Sequence, residues 1–217
     1  MAKAGSPSHV KERSAGRSAE TRRLLIQAAI ETLKQEGYAG ASARAIAERA
    51  DSNQGLIFYH FGSVANLLLA ALDAVSAERL AQYASAIARV DSPTALVDTA
   101  RAIFSEDLDA GYVTVLVEMI AGAASTPGLG PEVAARIAPW TAFAEDAITS
   151  LLDSSSLAAI LPPADVAYGI VALYLGLEML SHLNGDRAPS LALFDHAQQL
   201  AGLFGVMAGN SPTPAAQ

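Results

Sequence analysis

The chain has 217 residues, of which 52% are apolar and 17% charged, and its formal net charge is −8. It contains no cysteine, which excludes disulfides, thiolate metal sites and thiol catalysis. The apolar content is sufficient for a sizeable buried core.

Charge is unevenly distributed along the chain. Residues 1–62 carry nine Lys or Arg and six acidic side chains, whereas residues 63–217 carry five basic and sixteen acidic ones. This asymmetry is typical of a chain with one polyanion-binding end. A basic tail that serves solubility is the alternative, and charge alone does not choose between them.

Neither a secretory signal nor a membrane span is predicted. The basic residues near the N-terminus are not followed by an apolar segment. The longest apolar run, Val166 to Leu177, has twelve residues, which is too short to cross a bilayer as a helix. We therefore expect a soluble, cytoplasmic protein.

The first elements in chain order are an arm and a helix. Residues 1–17 are rich in Ser, Gly, Lys and Arg and predict a flexible basic arm. A helix is expected to begin at Ser18, which can cap it, and to end at Gly37. Apolar residues recur within it at three- and four-residue spacing.

Two short helices follow and predict a helix-turn-helix. Ser42 can cap the helix in "ARAIAERA", and Asn53 can cap the helix in "QGLIFYHF", which ends at Gly62. Asp51 tolerates the left-handed conformation that the turn between such helices often needs. Two short helices joined by about three residues are typical of this motif.

The helical period assigns opposite faces of the third helix to different surroundings. Ile57 and Phe61 are four residues apart and should face the interior. The other face then carries several large side chains for a helix of this length, and DNA could cover them. They are Gln54, Leu56, Phe58, Tyr59 and His60. Packing of these aromatic residues against the fourth helix is the alternative reading.

The rest of the chain is predicted to be helical throughout, so the fold class is all-α. A long fourth helix should begin after Ser63, and Pro139 should kink or divide one of the later helices. The segment 210–217 is expected to be disordered. The five helices after the fourth are expected at about 93–109, 112–124, 131–153, 164–183 and 190–208.

The stretch "SARAIAERADSNQGLIFYHFGSVANLL" resembles the DNA-binding segment of the TetR-type transcriptional regulators. The resemblance covers residues 18–70 and rests on a Ser-capped second helix, a Gly-containing recognition helix that ends in Tyr-His-Phe, and a Ser-capped fourth helix. It implies a helix-turn-helix domain at 18–64 and a helical ligand-binding and dimerisation domain at 65–209.

The resemblance also implies roles for individual residues. Ser42 and Arg44 would contact phosphates, Tyr59 and His60 would anchor phosphates, and Gln54, Leu56 and Phe58 would face the groove. Asn53 and Gly55, at the start of the recognition helix, belong to the same predicted DNA-binding set. Binding to double-stranded operator DNA is thereby expected.

Three positions depart from the family pattern. Asp51 replaces the usual turn glycine, Ser52 replaces an apolar turn residue, and Val64 replaces a frequent lysine that contacts phosphate. We expect a somewhat lower DNA affinity and a shallower salt dependence than in a relative that carries this lysine.

The body beyond residue 64 is predicted to dimerise and to hold an effector. The two apolar helices at 164–183 and 190–208 are the expected homodimer surface, with an ordinary monomeric core as the alternative. Glu118 and Glu178 each interrupt an apolar run and could anchor a ligand or could lie at a surface or interface. The candidate ligand-binding residues are Phe104, Tyr112, Glu118, Met119, Trp140, Phe143, Tyr168, Tyr174 and Glu178.

These features favour a transcriptional repressor that a small, largely apolar effector releases from its operator. A DNA-binding architectural protein or protein adaptor of the same fold, with no ligand, is the alternative. An enzyme is not expected, because the four histidines are scattered and form no metal-spaced cluster. No cofactor and no metal ion are expected.

Overall fold

The computed structural model describes residues 7–152 and 162–209, with side chains for residues 15–150 and 162–203. Every regular element in this part of the chain is a helix, so the predicted all-α fold class is confirmed. The described helices are α1 (Pro7–Gly40), α2 (Ala43–Arg49), α3 (Gln54–Phe61), α4 (Val64–Ile87), α5 (Pro93–Ala110), α6 (Tyr112–Ala123), α7 (Leu129–Leu152), α8 (Pro163–Asn184) and α9 (Ala188–Gly209).

The chain forms two compact units. The first comprises Met1–Ser76 and Thr114–Ala134, and the second comprises Ala77–Val113 and Ala135–Gln217. The first unit therefore contains α1 to α3, the beginning of α4, and most of α6. The predicted division of the chain at residue 64 stays a prediction.

Helix α1 is longer than the sequence predicts. It begins at Pro7 rather than at Ser18, so residues 7–17 are helical, whereas the flexibility of the arm stays a prediction. Proline is favoured at the first position of a helix, and the Glu, Lys and Arg residues that follow it are good helix formers. Near its other end α1 breaks at Gly37, where the sequence places the helix stop, with φ 70° and ψ −177°.

The core of the first unit is built from the apolar stripes of α1 to α4. Leu25 and Leu33 of α1, Ile46 of α2, Ile57 of α3 and Leu67 of α4 are fully buried. Each such side chain stabilises the fold by about 1.5–3 kcal/mol relative to an exposed position. The short helices α2 and α3 depend on this packing, because helices of seven or eight residues are not stable alone.

In the second unit α5 packs against α8 and α9, which also contact each other. Phe104 of α5 is fully buried, and its ring centroid lies 5.5 Å from that of Tyr174 and 5.1 Å from that of Phe194. Ser92 caps α5 through its hydroxyl, which accepts a hydrogen bond from the amide of Ala95. These contacts fix three helices around one aromatic residue.

The later helices lie close to their predicted positions. Helix α7 continues through Pro139 as a single element, so the proline does not divide it. The predicted turn at 153–161, the first six residues of the predicted arm, and the predicted disordered tail at 210–217 lie outside the described residues.

Helix α8 differs from the sequence-based expectation about membrane spans. The chain forms a 22-residue helix over Pro163–Asn184, which is long and apolar enough to cross a membrane by length and composition. The uninterrupted apolar run has only twelve residues, but the helix extends beyond it at both ends and includes isolated polar side chains. Little of α8 is buried within the chain.

Candidate functional site

The helix-turn-helix is held by capping hydrogen bonds at each of its helices. The hydroxyl of Ser42 accepts a hydrogen bond from the amide of Ala45 at 3.2 Å, which begins α2. The side-chain oxygen of Asn53 accepts one from the amide of Gly55 at 2.7 Å, which begins α3. Asp51, in the turn, has φ 47°, so the predicted left-handed conformation is confirmed.

The end of α3 is fixed to the start of α4. Gly62 adopts φ 77° and ends α3, and Ser63 caps α4 by accepting a hydrogen bond from the amide of Asn66 at 3.1 Å. The side chain of Asn66 donates to the carbonyl of Phe61 at 2.9 Å. The recognition helix is therefore held at both ends by side chains of polar residues.

The inner face of α3 is buried as the helical period predicts. Ile57 is fully buried and Phe61 is nearly so. Arg22 of α1 lies over the Phe61 ring, with its guanidinium carbon 4.6 Å from the ring centroid. A cation over an aromatic face is attracted by the ring quadrupole, so this contact joins α1 to α3.

The outer face of α3 is exposed, so its bulky residues do not pack against the fourth helix. Tyr59 is 78% exposed and Phe58 is 52% exposed, and Leu56 and Gln54 also lie in solvent. His60 is half-buried beside the Tyr59 ring. The aromatic residues Phe58 and Tyr59 are therefore not a satellite core against α4.

The remaining predicted DNA-binding residues flank this face. Ser42, Arg44, Asn53 and Gly55 are all exposed. Gly55 is constrained, because an added Cβ would lie 3.1 Å from the capping oxygen of Asn53. A helix N-terminus, a guanidinium and hydroxyl groups are all suited to contacts with phosphate oxygens.

A separate set of contacts joins α6 to the break in α1, within the first unit. The carboxylate of Glu118 accepts a hydrogen bond from the amide of Tyr38 at 2.8 Å. The Tyr38 hydroxyl lies 2.9 Å from that of Thr126, and its ring packs against Gly122. Because Gly37 interrupts the helix, Glu118 satisfies an amide that has lost its helical partner.

The second unit contains a buried polar cluster of Arg79, Asp107, Tyr174 and Glu178, which come from α4, α5 and α8. Arg79 donates to both Asp107 and Glu106, and the hydroxyl of Tyr174 donates to Asp107 at 2.5 Å. Arg79 and Glu178 are each 2% exposed and Asp107 is 3% exposed. Charged residues are almost never buried to this degree unless they are paired.

The pKa values in this cluster are perturbed by burial. Burial, together with the charge of Asp107, raises the pKa of Glu178 to about 8, although Tyr174 and Arg79 oppose the shift. Burial also raises the pKa of Asp107, against the hydrogen bonds from Tyr174 and Arg79. Glu178 is therefore mostly neutral at pH 7, whereas an ordinary glutamate is ionised.

The predicted ligand-binding residues are distributed over both units. Tyr112 lies under the guanidinium of Arg79 at 4.5 Å, and Trp140 contacts Tyr83 with ring centroids 5.3 Å apart. In the second unit the structure places these residues together with Phe104, Tyr174 and Glu178, while Phe143 is half-buried on α7. Tyr168 is 70% exposed on α8, and Glu118 and the fully buried Met119 belong to the first unit.

Sequence reasoning missed Arg79, Asp107 and Tyr83. Arg79 follows an apolar stretch of α4, and Asp107 lies in an acidic stretch of α5 that suggests a solvated face. Arg79 is the only basic residue of the apolar helix α4, and this is the one sequence signal that could have indicated a buried charge. Glu178, which by sequence could anchor a ligand or lie at a surface or interface, is buried within the second unit.

An exposed apolar stripe runs along α8 and α9. On α8 it follows three- and four-residue spacing through Gly169, Leu173, Gly176, Leu180 and Leu183. An added Cβ at Gly169, Gly176 or Gly202 would meet no other atom within 4 Å. On α9 the stripe consists of Leu193, Leu200 and Leu203.

An all-α chain with a capped helix-turn-helix and an exposed recognition face defines a helix-turn-helix DNA-binding regulator. Residues 25–71 match the family described as bacterial regulatory proteins, tetR family. This match supports the resemblance of residues 18–70 to the DNA-binding segment of TetR-type transcriptional regulators. The relatives of this chain are regulators rather than enzymes, in agreement with the sequence-based expectation.

Comparison with whole proteins finds a related regulator sequence and structures that share the fold. A helix-turn-helix transcriptional regulator of Mycobacterium tuberculosis is 28% identical over 181 residues, which cover 81% of this chain and 92% of the relative. A TetR-family regulator from Rhodococcus has a structure with a TM-score of 0.70 at 22% identity, covering 84% of this chain and 98% of that one. The regulator FadR from Bacillus subtilis, solved with stearoyl-CoA, has a TM-score of 0.69 at 15% identity, covering 82% and 96%.

Proposed function

We propose that this regulator is a repressor that binds operator DNA as a homodimer and is released by a small, largely apolar effector. The exposed outer face of α3 is the observation that carries the DNA-binding part of the proposal. A helix presenting Gln54, Phe58 and Tyr59 to solvent is suited to the major groove.

The proposed contacts follow from the chemistry of the exposed groups. Gln54 can make a bidentate contact to adenine, and Phe58 and Leu56 can meet a thymine methyl group. Tyr59 and His60, with Ser42 and Arg44 on α2, would bind phosphate oxygens and fix the register. Asn53 and Gly55 would bring the amide-rich end of α3 close to the backbone.

The proposed dimer is formed through the apolar stripe of α8 and α9. The side chains of Leu173, Leu180 and Leu183 are more than half exposed, which is unusual for residues of this type on a continuous helix face. The open glycines at 169 and 176 would let a second copy of α8 approach closely. Dimers of this kind place two recognition helices about 34 Å apart, one turn of DNA.

The proposed effector site lies in the second unit, near the buried polar cluster and the aromatic residues beside it. FadR from Bacillus subtilis, which has the same fold, was solved in complex with stearoyl-CoA, and this supports the proposal of a largely apolar effector. Release of DNA requires the effector to bind the DNA-incompetent state more tightly than the competent one. We propose that α4, which contributes residues to both units, transmits this preference.

The test is fluorescence anisotropy with a labelled DNA fragment from immediately upstream of the protein's own gene, titrated over a range of salt concentrations. Gln54→Ala is expected to weaken specific binding by about 1–3 kcal/mol, roughly 5-fold to 160-fold. Tyr59→Ala should weaken binding to all sequences, because it removes a phosphate contact.

Gln35→Ala is the matched control, since Gln35 is an exposed glutamine of α1 away from the recognition face. It should leave the affinity unchanged. Equal affinity of the wild-type protein and the Gln54→Ala and Tyr59→Ala variants for this DNA would contradict the assignment of α3 as the reading helix.

A further inference from the structure

The buried polar cluster of the second unit has an incomplete set of hydrogen bonds. Both oxygens of Asp107 are occupied, one by Arg79 and the other by the hydroxyl of Tyr174. That hydroxyl has a single proton, which it gives to Asp107. Among the described side chains, Oε1 of Glu178 is buried without a hydrogen-bond partner.

An unpartnered buried carboxyl oxygen is costly. Most buried polar atoms in native proteins have a partner, because an unsatisfied one has lost its hydrogen bonds to water without replacement. Nε of Arg79 is also buried without a partner, but both of its terminal nitrogens are hydrogen-bonded. Glu178 is therefore the less satisfied of the two side chains.

The net charge of the cluster indicates which kind of ligand group could bind to Oε1 of Glu178. Arg79 and Asp107 neutralise each other, and Glu178 avoids a net negative charge by holding a proton, since its pKa is about 8. A ligand cation could replace this proton without changing the net charge of the cluster. A carboxylate or phosphate would instead be repelled by Asp107, and the guanidinium of Arg79 already donates to Asp107 and Glu106.

Aromatic rings lie next to this position. The hydroxyl of Tyr83 is 3.3 Å from that of Tyr174, and the Tyr83 ring contacts Trp140 edge to face. Aromatic faces attract organic cations and also accommodate apolar chains. The neighbourhood of Glu178 therefore offers contacts to both parts of an amphiphilic amine.

We infer that the effector carries a protonated amine, or a comparable organic cation, that binds Oε1 of Glu178, and that its apolar part lies against Tyr83 and Trp140. This inference rests on the proposed function, because it concerns the effector of the proposed repressor. It replaces an unspecified apolar effector with a lipophilic cation.

The experiment compares three probes with the same chain: octylammonium, octan-1-ol and octanoate. Isothermal titration calorimetry of the full-length protein, in two buffers with different ionisation enthalpies, gives the affinity and the number of protons released. At pH 8 octylammonium is expected to bind at least tenfold more tightly than octanol, and octanoate should bind most weakly.

Proton release is the most specific readout. A cation favours the ionised form of Glu178, so binding at pH 7 should release close to one proton per octylammonium. The affinity should rise about tenfold per pH unit below pH 8 and level off above it. The groups that face Glu178 are Asp107 on α5, Arg79 on α4 and Tyr174 on α8 itself, and burial raises the pKa of Asp107 as well.

Glu178→Gln should lose the proton release and should bind octylammonium no more tightly than octanol. Glu106→Gln is the matched control, because Glu106 also contacts Arg79 but its side chain is 65% exposed. Preferential binding of octanoate, absence of binding by octylammonium, equal affinity of the three probes, or octylammonium binding that Glu178→Gln leaves unchanged would each overturn the inference.

DNA release is measured separately, so the two proposals can fail independently. Octylammonium that binds with proton release but leaves the DNA complex intact would contradict the repressor mechanism and support the ligand class. Failure of the wild-type protein to bind any DNA would contradict the proposed function, whereas the calorimetric result does not depend on it.

Discussion

At the scale of single residues, the structure gives Gly37 two reasons to be glycine. Its φ of 70° and ψ of −177° lie in a region that is almost restricted to glycine, and an added Cβ would lie 2.8 Å from Oε2 of Glu118. The sequence predicts a helix stop here. Only the folded structure shows that a carboxylate from α6 approaches the same position.

We therefore expect Gly37→Ala to destabilise the protein by about 1–3 kcal/mol. For a chain of this size, the melting temperature should fall by about 2–4 °C per kcal/mol, measured by circular dichroism. Gly16→Ala is the control, because Gly16 is helical with open space around it and alanine should stabilise it slightly. Equal melting temperatures of Gly37→Ala and wild type would show that residue 37 accepts a side chain despite its backbone conformation and the nearby Glu118 carboxylate.

Val64 is a second position where one side chain should have a measurable effect. It is the first residue of α4, next to the proposed DNA-binding surface, and it replaces a lysine that is frequent in the family. Val64→Lys should increase DNA affinity and steepen the slope of log K against log salt by about 0.9 for each subunit of the bound dimer. Val64→Gln is the control, because it adds a polar group without charge, and it should have the same salt slope as wild type. If Val64→Lys also had the wild-type slope, no phosphate would lie within reach of residue 64.

At the scale of elements, α8 has a side that the described chain does not cover. Sequence and structure both give it apolar residues on the face that contains Leu173 and Leu180. Burial of apolar surface contributes about 25 cal/mol per Å², so a second copy would gain stability by covering this stripe. Asp165 and His182, near the two ends of α8, are also exposed.

Leu180→Arg is expected to convert the proposed dimer to a monomer, because it places a charge at the centre of the stripe. Sedimentation equilibrium gives the molecular mass directly, and Leu24→Arg on the exposed side of α1 is the control. The DNA affinity of the monomer should also fall, since a single helix-turn-helix reads one half-site. A wild-type protein that sediments as a monomer would contradict the proposed interface.

At the scale of the whole molecule, the buried carboxyl of Glu178 links stability to pH. Its pKa is about 8 in the folded protein and near 4.5 when the chain is unfolded. The folded state therefore holds a proton that the unfolded state has lost between these two values. The stabilising contribution is fully present below pH 4.5 and decreases by up to about 1.4 kcal/mol per pH unit until pH 8.

Glu178→Gln should flatten this part of the pH dependence of the free energy of unfolding, measured in urea between pH 5 and pH 8. The glutamine amide is neutral at every pH, so the variant should gain relative stability as the pH rises. Asp165→Asn, an exposed acidic residue in the first turn of α8, is the control and should have the same pH profile as wild type. Parallel profiles of wild type and Glu178→Gln would show that Glu178 is ionised in the folded protein.

Much of the fold could be predicted from the sequence because it depends on local chemistry. The caps at Ser42 and Asn53, the left-handed Asp51 and the buried pair Ile57 and Phe61 follow from short-range preferences and the helical period. The start of α1 was predicted wrongly, because Ser18 was read as a cap although the residues before it also favour a helix.

The sequence by itself determined the all-α class, the helix-turn-helix and the face of α3 that is turned to solvent, since each depends on neighbours within about four residues. Tertiary structure alone decided that Arg79, Asp107, Tyr174 and Glu178 meet, because they are up to 99 positions apart and come from three helices. It also decided that Glu118 binds the Tyr38 amide. Such contacts depend on how helices pack, and the spacing of residues along one helix carries no information about that.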